Sequence, residues 1–270
     1  MIDEHLAQTI ATQLRDAART KSPIKQISQL HPELTIEDAY AIQRAGVALA
    51  EADGRVVRGR KIGLTSRTMQ QAVGISEPDY GVLYDDMFFT DGSVIPRQRF
   101  IAPRIEVELA FVLGASLTGP NCSIYDVLRA TEFVTPAIEI LDARFHMTDP
   151  DTGSTRTIVD TIADNAADAG IITGGRVVRP HDVDLRWIGA LLYRNGVIEE
   201  SGVAAAVLNH PAHGVAWLAN RLAGHGVELA AGQLILAGSF TRPVWVQPGD
   251  TFHADFGRLG SIAFQFSMQA

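Results

Sequence analysis

The sequence predicts an α+β fold, a β-rich core behind a small helical N-terminal region, on three observations. The first fifty or so residues carry apolar side chains at helical spacing. From Val56 onward the texture changes to short apolar runs broken by glycine and Pro-Gly turns. Those runs do not alternate regularly with helices, which argues against a doubly wound parallel sheet. The expected division is a helical region over 1–55 and a β-rich catalytic domain over 56–270. No repeat, low-complexity tract or long linker interrupts either part.

In order along the chain, Leu6, Ile10, Leu14 and Ala17 mark a first helix that Pro23 interrupts. A second helix starts at Thr35, with Asp38 at its third position as a capping box and Leu34 and Ala39 as a hydrophobic staple. It carries Ala39, Ile42 and Leu49 on one side and ends near Gly54. Val56 to Leu64 reads as a strand, and Met69 to Val73 as a short helix. Glu106 to Gly114 is the clearest strand of all. Ser123 and Asp126 cap a helix running to about Phe133, and Thr135 to Ala143 is a further strand. Asn209 to Ala223 is a helix with Val215, Leu218 and Leu222 inward, and Gln233 to Phe266 is strand after strand.

Composition excludes several function classes. At 270 residues and 46% apolar, the chain can bury a full core without covalent staples. Cys122 is its only cysteine, so no internal disulfide forms, as suits a reducing compartment; in a loop after Pro120 and Asn121 it reads as an inert thiol. A net charge of −8 argues against a nucleic-acid partner, since the one tight basic cluster is Arg55, Arg58, Arg60 and Lys61. No apolar run approaches the ~20 residues that span a bilayer. Met1 to His5 lacks the basic start and apolar core of a signal peptide. A soluble cytoplasmic protein is expected.

The chemistry lies in carboxylates placed on apolar strands. Within Arg104 to Leu113, alternation puts Val107, Leu109, Phe111 and Leu113 on one face. Glu106 and Glu108 share the other, ~6.6 Å apart by strand rise, with Ala110 and Val112 beyond them. Glu139 sits between Ile138 and Ile140 in a comparable strand. Burying such acids is costly unless they are paired or bind a cation. Three converging glutamates would suit a hard ion with oxygen ligands, Mg²⁺ or Mn²⁺. A solvated face, with Arg104 and Arg144 pairing the acids, explains the local pattern as well.

At these residues the chain resembles the fumarylacetoacetate hydrolase superfamily. Besides Glu-x-Glu and Glu139, the segments Arg60 to Ser66, Glu77 to Gly81, Asp164 to Ala166, Asn209 to Pro211 and Gly238 to Pro243 are similar to those of its hydratase branch. The resemblance covers nearly the whole chain. It implies a mixed β-sandwich roll with an added N-terminal helical region, and a homo-oligomer built from dimers, up to a decamer. It implies a metal triad of Glu106, Glu108 and Glu139. Hydrolases of the superfamily carry a His and a Glu in a lid helix after the strand glycine. Here Leu64 to Gln71 has neither, so diketone hydrolysis is not expected.

The implied activity is addition of water to an unsaturated 2-oxo acid, foremost 2-oxohept-4-ene-1,7-dioate to 4-hydroxy-2-oxoheptanedioate in aromatic (homoprotocatechuate/4-hydroxyphenylacetate) catabolism. The ion would act as a Lewis acid on the chelated 2-oxo acid. Proton loss from C3, reprotonation at C5 and addition of water at C4 would complete the reaction. Lys61, its pKa lowered by partial burial beside a metal, is the first candidate to move protons, and Asp79 the second. Leu64, Asn165, Ser239 and Thr241 would line the substrate, and Arg60 or Arg242 would hold a distal carboxylate. His210, His213 and His253 read as structural. The alternatives are hydration of 2-hydroxypenta-2,4-dienoate and decarboxylation of 2-oxo-3-hexenedioate. From a different class comes a non-catalytic scaffold subunit, in which the glutamates are exposed or paired with arginine.

Overall fold

The computed structural model describes residues 2–67, 70–71 and 75–269. Helix α1 (Glu4–Thr20) buries Ala7, Ile10, Leu14 and Ala17, and its N-cap Asp3 accepts from the Leu6 amide. A single turn, α2 (Ile27–Leu30), leads to α3 (Ile36–Ala52). The capping box expected at Thr35 and Asp38 is present, with both reciprocal bonds made. The helix expected around Met69 to Val73 lies, except for Gln70 and Gln71, outside the described residues.

The strands are β1 (Val57–Gly63), β2 (Asp79–Tyr84), β3 (Phe88–Thr90), β4 (Val94–Ile95), β5 (Arg104–Leu113), β6 (Thr131–Leu141), β7 (Asp168–Thr173), β8 (Gly189–Arg194), β9 (Val197–Val203), β10 (Leu234–Leu236), β11 (Val244–Trp245), β12 (Thr251–Asp255) and β13 (Ser261–Phe266). Between them lie helices α4 (Ile124–Ala130), α5 (Ile158–Ala163) and α6 (Pro211–Ala223). Eight strands form one sheet in the order β2-β1-β10-β5-β6-β7-β3, with β11 paired to β5 beyond the end of β10. Five form the second, in the order β4-β13-β12-β8-β9. The β1/β10, β3/β7 and β4/β13 pairs are parallel and the rest antiparallel.

One face of the larger sheet packs with Phe252, Phe264 and Phe266 of the smaller one and with the helices in a continuous core. Its other face is lined by a small apolar set, Leu83, Ala110, Ala137, Ile171, Leu234 and Leu236. That second face also carries the charged residues discussed below.

One boundary differs from expectation. Helix α4 stops at Ala130 and not near Phe133, because Thr131 to Thr135 is rich in β-branched and aromatic residues that pair with β5. The Ala130 carbonyl, freed at the helix end, accepts from Gly114 and Ala115. The region from Gln233 to Phe266 holds only short strands separated by loops. The β8–β9 hairpin was not expected, although its Asn195-Gly196 turn, with φ of 53° and 82°, has the residues a tight hairpin turn requires.

Candidate active site and metal centre

Strand register alone brings the charged residues together. Directly paired residues on neighbouring strands point to the same face. Glu106 pairs with Glu139 across β5 and β6, and Glu108 with Ala137. Ala110 pairs with Leu236, and Leu236 with Lys61. Asp79 pairs with Gly63, two residues on from Lys61. Lys61, Asp79, Glu106, Glu108 and Glu139 therefore share one face of the sheet.

The three glutamates offer oxygens that all lie within 4.8 Å of one another. Glu108 and Glu139 are fully buried. Glu108 Oε2 accepts from the Gly238 amide at 2.8 Å, while Glu108 Oε1 and both Glu139 oxygens have no hydrogen-bond partner. Lys61 Nζ lies 3.2 Å from Glu139 Oε1, close enough to pair charges but outside hydrogen-bond geometry. Neither expected arginine pairs the acids: Arg144 is taken by Asp164, and Arg104 makes no ion pair among the described residues. Converging buried oxygens with unused lone pairs are the donor set a hard divalent cation needs.

The electrostatics agree. Burial first, then Glu139, raises the Glu106 carboxyl from its ordinary 4.5 to about 7. The same causes push Glu108 well above the carboxylate range. A fourth acid, Asp168 at the head of β7, was not foreseen. It is fully buried, both of its oxygens lack partners, and burial and Glu139 hold it protonated well above the usual range. Lys61 is the one cation that faces all of them except Glu108.

The lowering expected of Lys61 belongs to the metal-bound site; in the metal-free chain the balance runs upward. Burial works against its charge, but Glu139, Asp79, Asp168 and Glu106 outweigh burial and hold it above the ordinary lysine range. It stands as an ammonium, a proton donor, until the glutamates are neutralised. Asp79 is raised by burial, against the pull of Lys61, and its Oδ1 is buried without a partner.

Gly63 makes this arrangement possible. A Cβ there would lie 2.1 Å from Asp79 Oδ1 and 3.3 Å from Lys61 Nζ. Gly63→Ala should displace Asp79 and lower turnover by about 100-fold while the protein stays folded, as steady-state kinetics beside a thermal melt would register.

The other expected residues divide. Ser239 and Thr241 fill the gap between β10 and β11 along β5. Ser239 Oγ donates to Thr241 O at 2.9 Å, and Thr241 Oγ1 accepts from Val107 N at 3.2 Å. They fix the loop whose Gly238 amide holds Glu108. Leu64 follows β1 in a left-handed turn, φ 54°, with its carbonyl accepting from Gln70 Nε2. Asn165 is occupied: its amide bonds both Val82 N and Val82 O, at 2.8 and 2.9 Å, bracing β2. Arg60 is not at the site, because alternation after Lys61 sends it to the opposite face toward Tyr80, Tyr84 and Glu51. Arg242 is an exposed partner of Glu200. His210 is the N-cap of α6, His213 bonds Leu208 O and His253 packs on Tyr193, all structural. Cys122 is buried, and burial pushes its thiol up.

An apolar cavity of ≈ 380 Å³, lined by Tyr40, Ile75, Pro78, Ile158 and Ile162 among others, opens onto Asp79. A charged cleft of ≈ 360 Å³ between α1, α3 and the start of β7 reaches Asp168 but not the three glutamates. Its Arg15 and Arg55 are already paired with Asp53 and Asp86.

Comparison with known proteins places this geometry. The family model "Fumarylacetoacetate (FAA) hydrolase C-terminal" matches residues 59–267. The chain is 60% identical over 266 residues to 2-oxo-hept-4-ene-1,7-dioate hydratase of Escherichia coli, covering 98% of this chain and 100% of that one. It is 38% identical to 2-keto-4-pentenoate hydratase of Paraburkholderia xenovorans, covering 95% and 93%. The structure of 4-oxalocrotonate decarboxylase from Pseudomonas putida G7, complexed with magnesium and adipate, superimposes with a TM-score of 0.93 at 35% identity, covering 98% and 99%. With the family model spanning most of its length and a full-length relative at 60% identity, this chain belongs to the fumarylacetoacetate hydrolase family.

Proposed function

We propose that this chain is a divalent-metal-dependent hydro-lyase that adds water to an unsaturated 2-oxo acid, with 2-oxohept-4-ene-1,7-dioate as substrate and 4-hydroxy-2-oxoheptanedioate as product. The observation that carries this reading is the convergence of three glutamates, Glu108 and Glu139 buried with unused oxygens and Glu106 half-buried, none paired by arginine among the described residues, beside a buried lysine and a buried aspartate. A scaffold subunit would have no reason to bear the cost of burying them. The 60% identity to a hydratase of that substrate supports the reaction, and the adipate held by the decarboxylase relative supports a dicarboxylate.

Glu106, Glu108 and Glu139 would hold Mg²⁺, or Mn²⁺, which when bound supplies Lewis-acid polarisation of the 2-oxo group. Lys61 Nζ, fully buried beside Glu139, delivers a proton to the substrate carbon skeleton. Asp79 Oδ1 orients the attacking water and takes its proton. The cavity between Tyr40 and Ile162 opens onto Asp79 and gives it access to the ligand side of the site. The loop of Ser239 and Thr241 fixes one wall, and Leu64 and the Asn165 turn fix its ends. We also read residues 1–55 as the helical region and 56–270 as the catalytic domain. A homo-oligomer built from dimers fits the exposed apolar patch of Trp187, Leu191 and Val203, and a cytoplasmic location is part of the same reading. Among the described residues no helix is long and apolar enough to cross a membrane.

The test is ultraviolet turnover of 2-oxohept-4-ene-1,7-dioate with Mg²⁺ and with EDTA, followed by assay for CO₂. Metal-dependent loss of absorbance with a 4-hydroxy-2-oxo acid and no CO₂ is expected. The second reading, decarboxylation, has the close fold match in its favour and would release CO₂ from 2-oxo-3-hexenedioate. Turnover of the five-carbon dienoate alone would shift the substrate to that of the shorter hydratases.

A further inference from the structure

The site as described accounts for the metal-proximal half of the substrate and leaves its far end without a partner. Two arginines beside the glutamates have no assigned role. Arg104 begins β5 and, by alternation, lies on the face of Glu106, about 7 Å along the strand. Its guanidinium sits 5.2 Å from the Trp245 ring centroid. Arg156 comes from the segment between β6 and α5. That segment is held by the Ile24–Phe145 and Thr148–Thr155 bridges and by the bond from Arg156 N to Met147 O at 3.1 Å. Arg156 Nη1 is buried with no partner.

Among the described residues, neither guanidinium makes an ion pair or a side-chain hydrogen bond. The nearby acids are committed elsewhere. Asp142 accepts from the Ile101 and Ala102 amides, and Asp164 is held by Arg144. Arg156 feels the charges of both Arg104 and Asp79, a residue of the site. Two guanidiniums with no ion-pair partner among the described residues, one on the sheet face of Glu106 and one with its Nη1 buried and unpartnered, match a planar anion with two oxygens.

We propose that Arg104 and Arg156 clamp the distal carboxylate of a dicarboxylic substrate whose 2-oxo acid end lies at Glu106, Glu108 and Glu139. This rests on the 2-oxo acid reading above. The separation along β5 suits a chain that carries its two acid groups several carbons apart, and the clamp would select diacids over monoacids. The competing role for these arginines is charge balance alone, offsetting the surplus of carboxylates. That role would not distinguish one ligand from another.

Calorimetric binding of adipate and of hexanoate to the Mg²⁺-loaded protein separates the two, with no turnover required. The wild type should bind adipate far more tightly than hexanoate. In Arg156→Gln, and separately in Arg104→Gln, that preference should fall by about 100-fold. Arg156→Lys should restore part of it. A melting curve on each variant confirms folding. Equal or absent binding of adipate and hexanoate by the wild type, or a preference unchanged in both glutamine variants, would overturn the clamp. A wild type that prefers adipate but hydrates no unsaturated 2-oxo acid would sink the hydratase reading and leave the clamp standing.

Discussion

Glu108→Gln in the metal-free protein should raise thermal stability and abolish the stabilisation that Mg²⁺ gives the wild type. The two effects have opposite signs because the site is built for an ion. Without one, Glu106, Glu139, Asp79 and Asp168 crowd around Lys61, and Glu108, which Lys61 does not reach, is pressed by Glu139 and Glu106. Glutamine keeps the bond from the Gly238 amide at the same oxygen position, so packing is preserved while the cost of burying or neutralising a carboxylate beside Glu139 is removed. With a ligand removed, affinity for the ion collapses, and the linkage term that scales with ligand over Kd goes with it. A melting series with Mg²⁺ and with EDTA reads both signs at once.

The same acids set a pH dependence. Glu106 titrates from an ordinary 4.5 in the unfolded chain to about 7 in the folded one. Between those values the folded protein holds a proton that the unfolded chain has released, so metal-free stability should fall as pH rises from about 4.5 to about 7. Glu108 and Asp168 act in the same direction. Mg²⁺ should flatten or reverse the slope.

Lys61→Met should reduce turnover by about 10²–10⁴-fold with Mg²⁺ binding retained. Lys61 contributes a proton and a charge from a fully buried position, and methionine fills the same space without either. Lys61→Arg separates the two contributions. Arginine keeps the charge beside Glu139 but does not give up its proton, so it should leave activity as low as methionine does. Rescue by arginine would assign Lys61 to charge neutralisation only. Single-turnover kinetics with saturating metal distinguishes these outcomes.

Much of this was legible in the residues. Carboxylates set against apolar strand faces mark Glu106, Glu108 and Glu139, and period-two alternation fixes which neighbours share their face. Asp168 carried the same signal, an acid heading the apolar run Ala169 to Ile172, and was readable on the same principle. What alternation could not supply was the pairing of distant strands. Only register places Lys61 on the face of the glutamates through Leu236 and Ala110, and it sends Arg60 to the other side. Asn165 could not be resolved because its bonds to Val82 span 83 positions in the chain. Arg156 was invisible because it sits in a loop with no periodicity, where only tertiary packing shows that its guanidinium is buried. The direction of the Lys61 shift depended on counting carboxylates from four strands, a sum that no local segment contains.

The most direct test of the central claim is diffraction from crystals grown with Mn²⁺, recorded at the manganese absorption edge. The account predicts one strong anomalous peak within coordination distance of Glu106, Glu108 and Glu139, absent in Glu108→Gln. A peak elsewhere, or none at saturating Mn²⁺, would contradict it and leave the buried acids without the ion that justifies their burial.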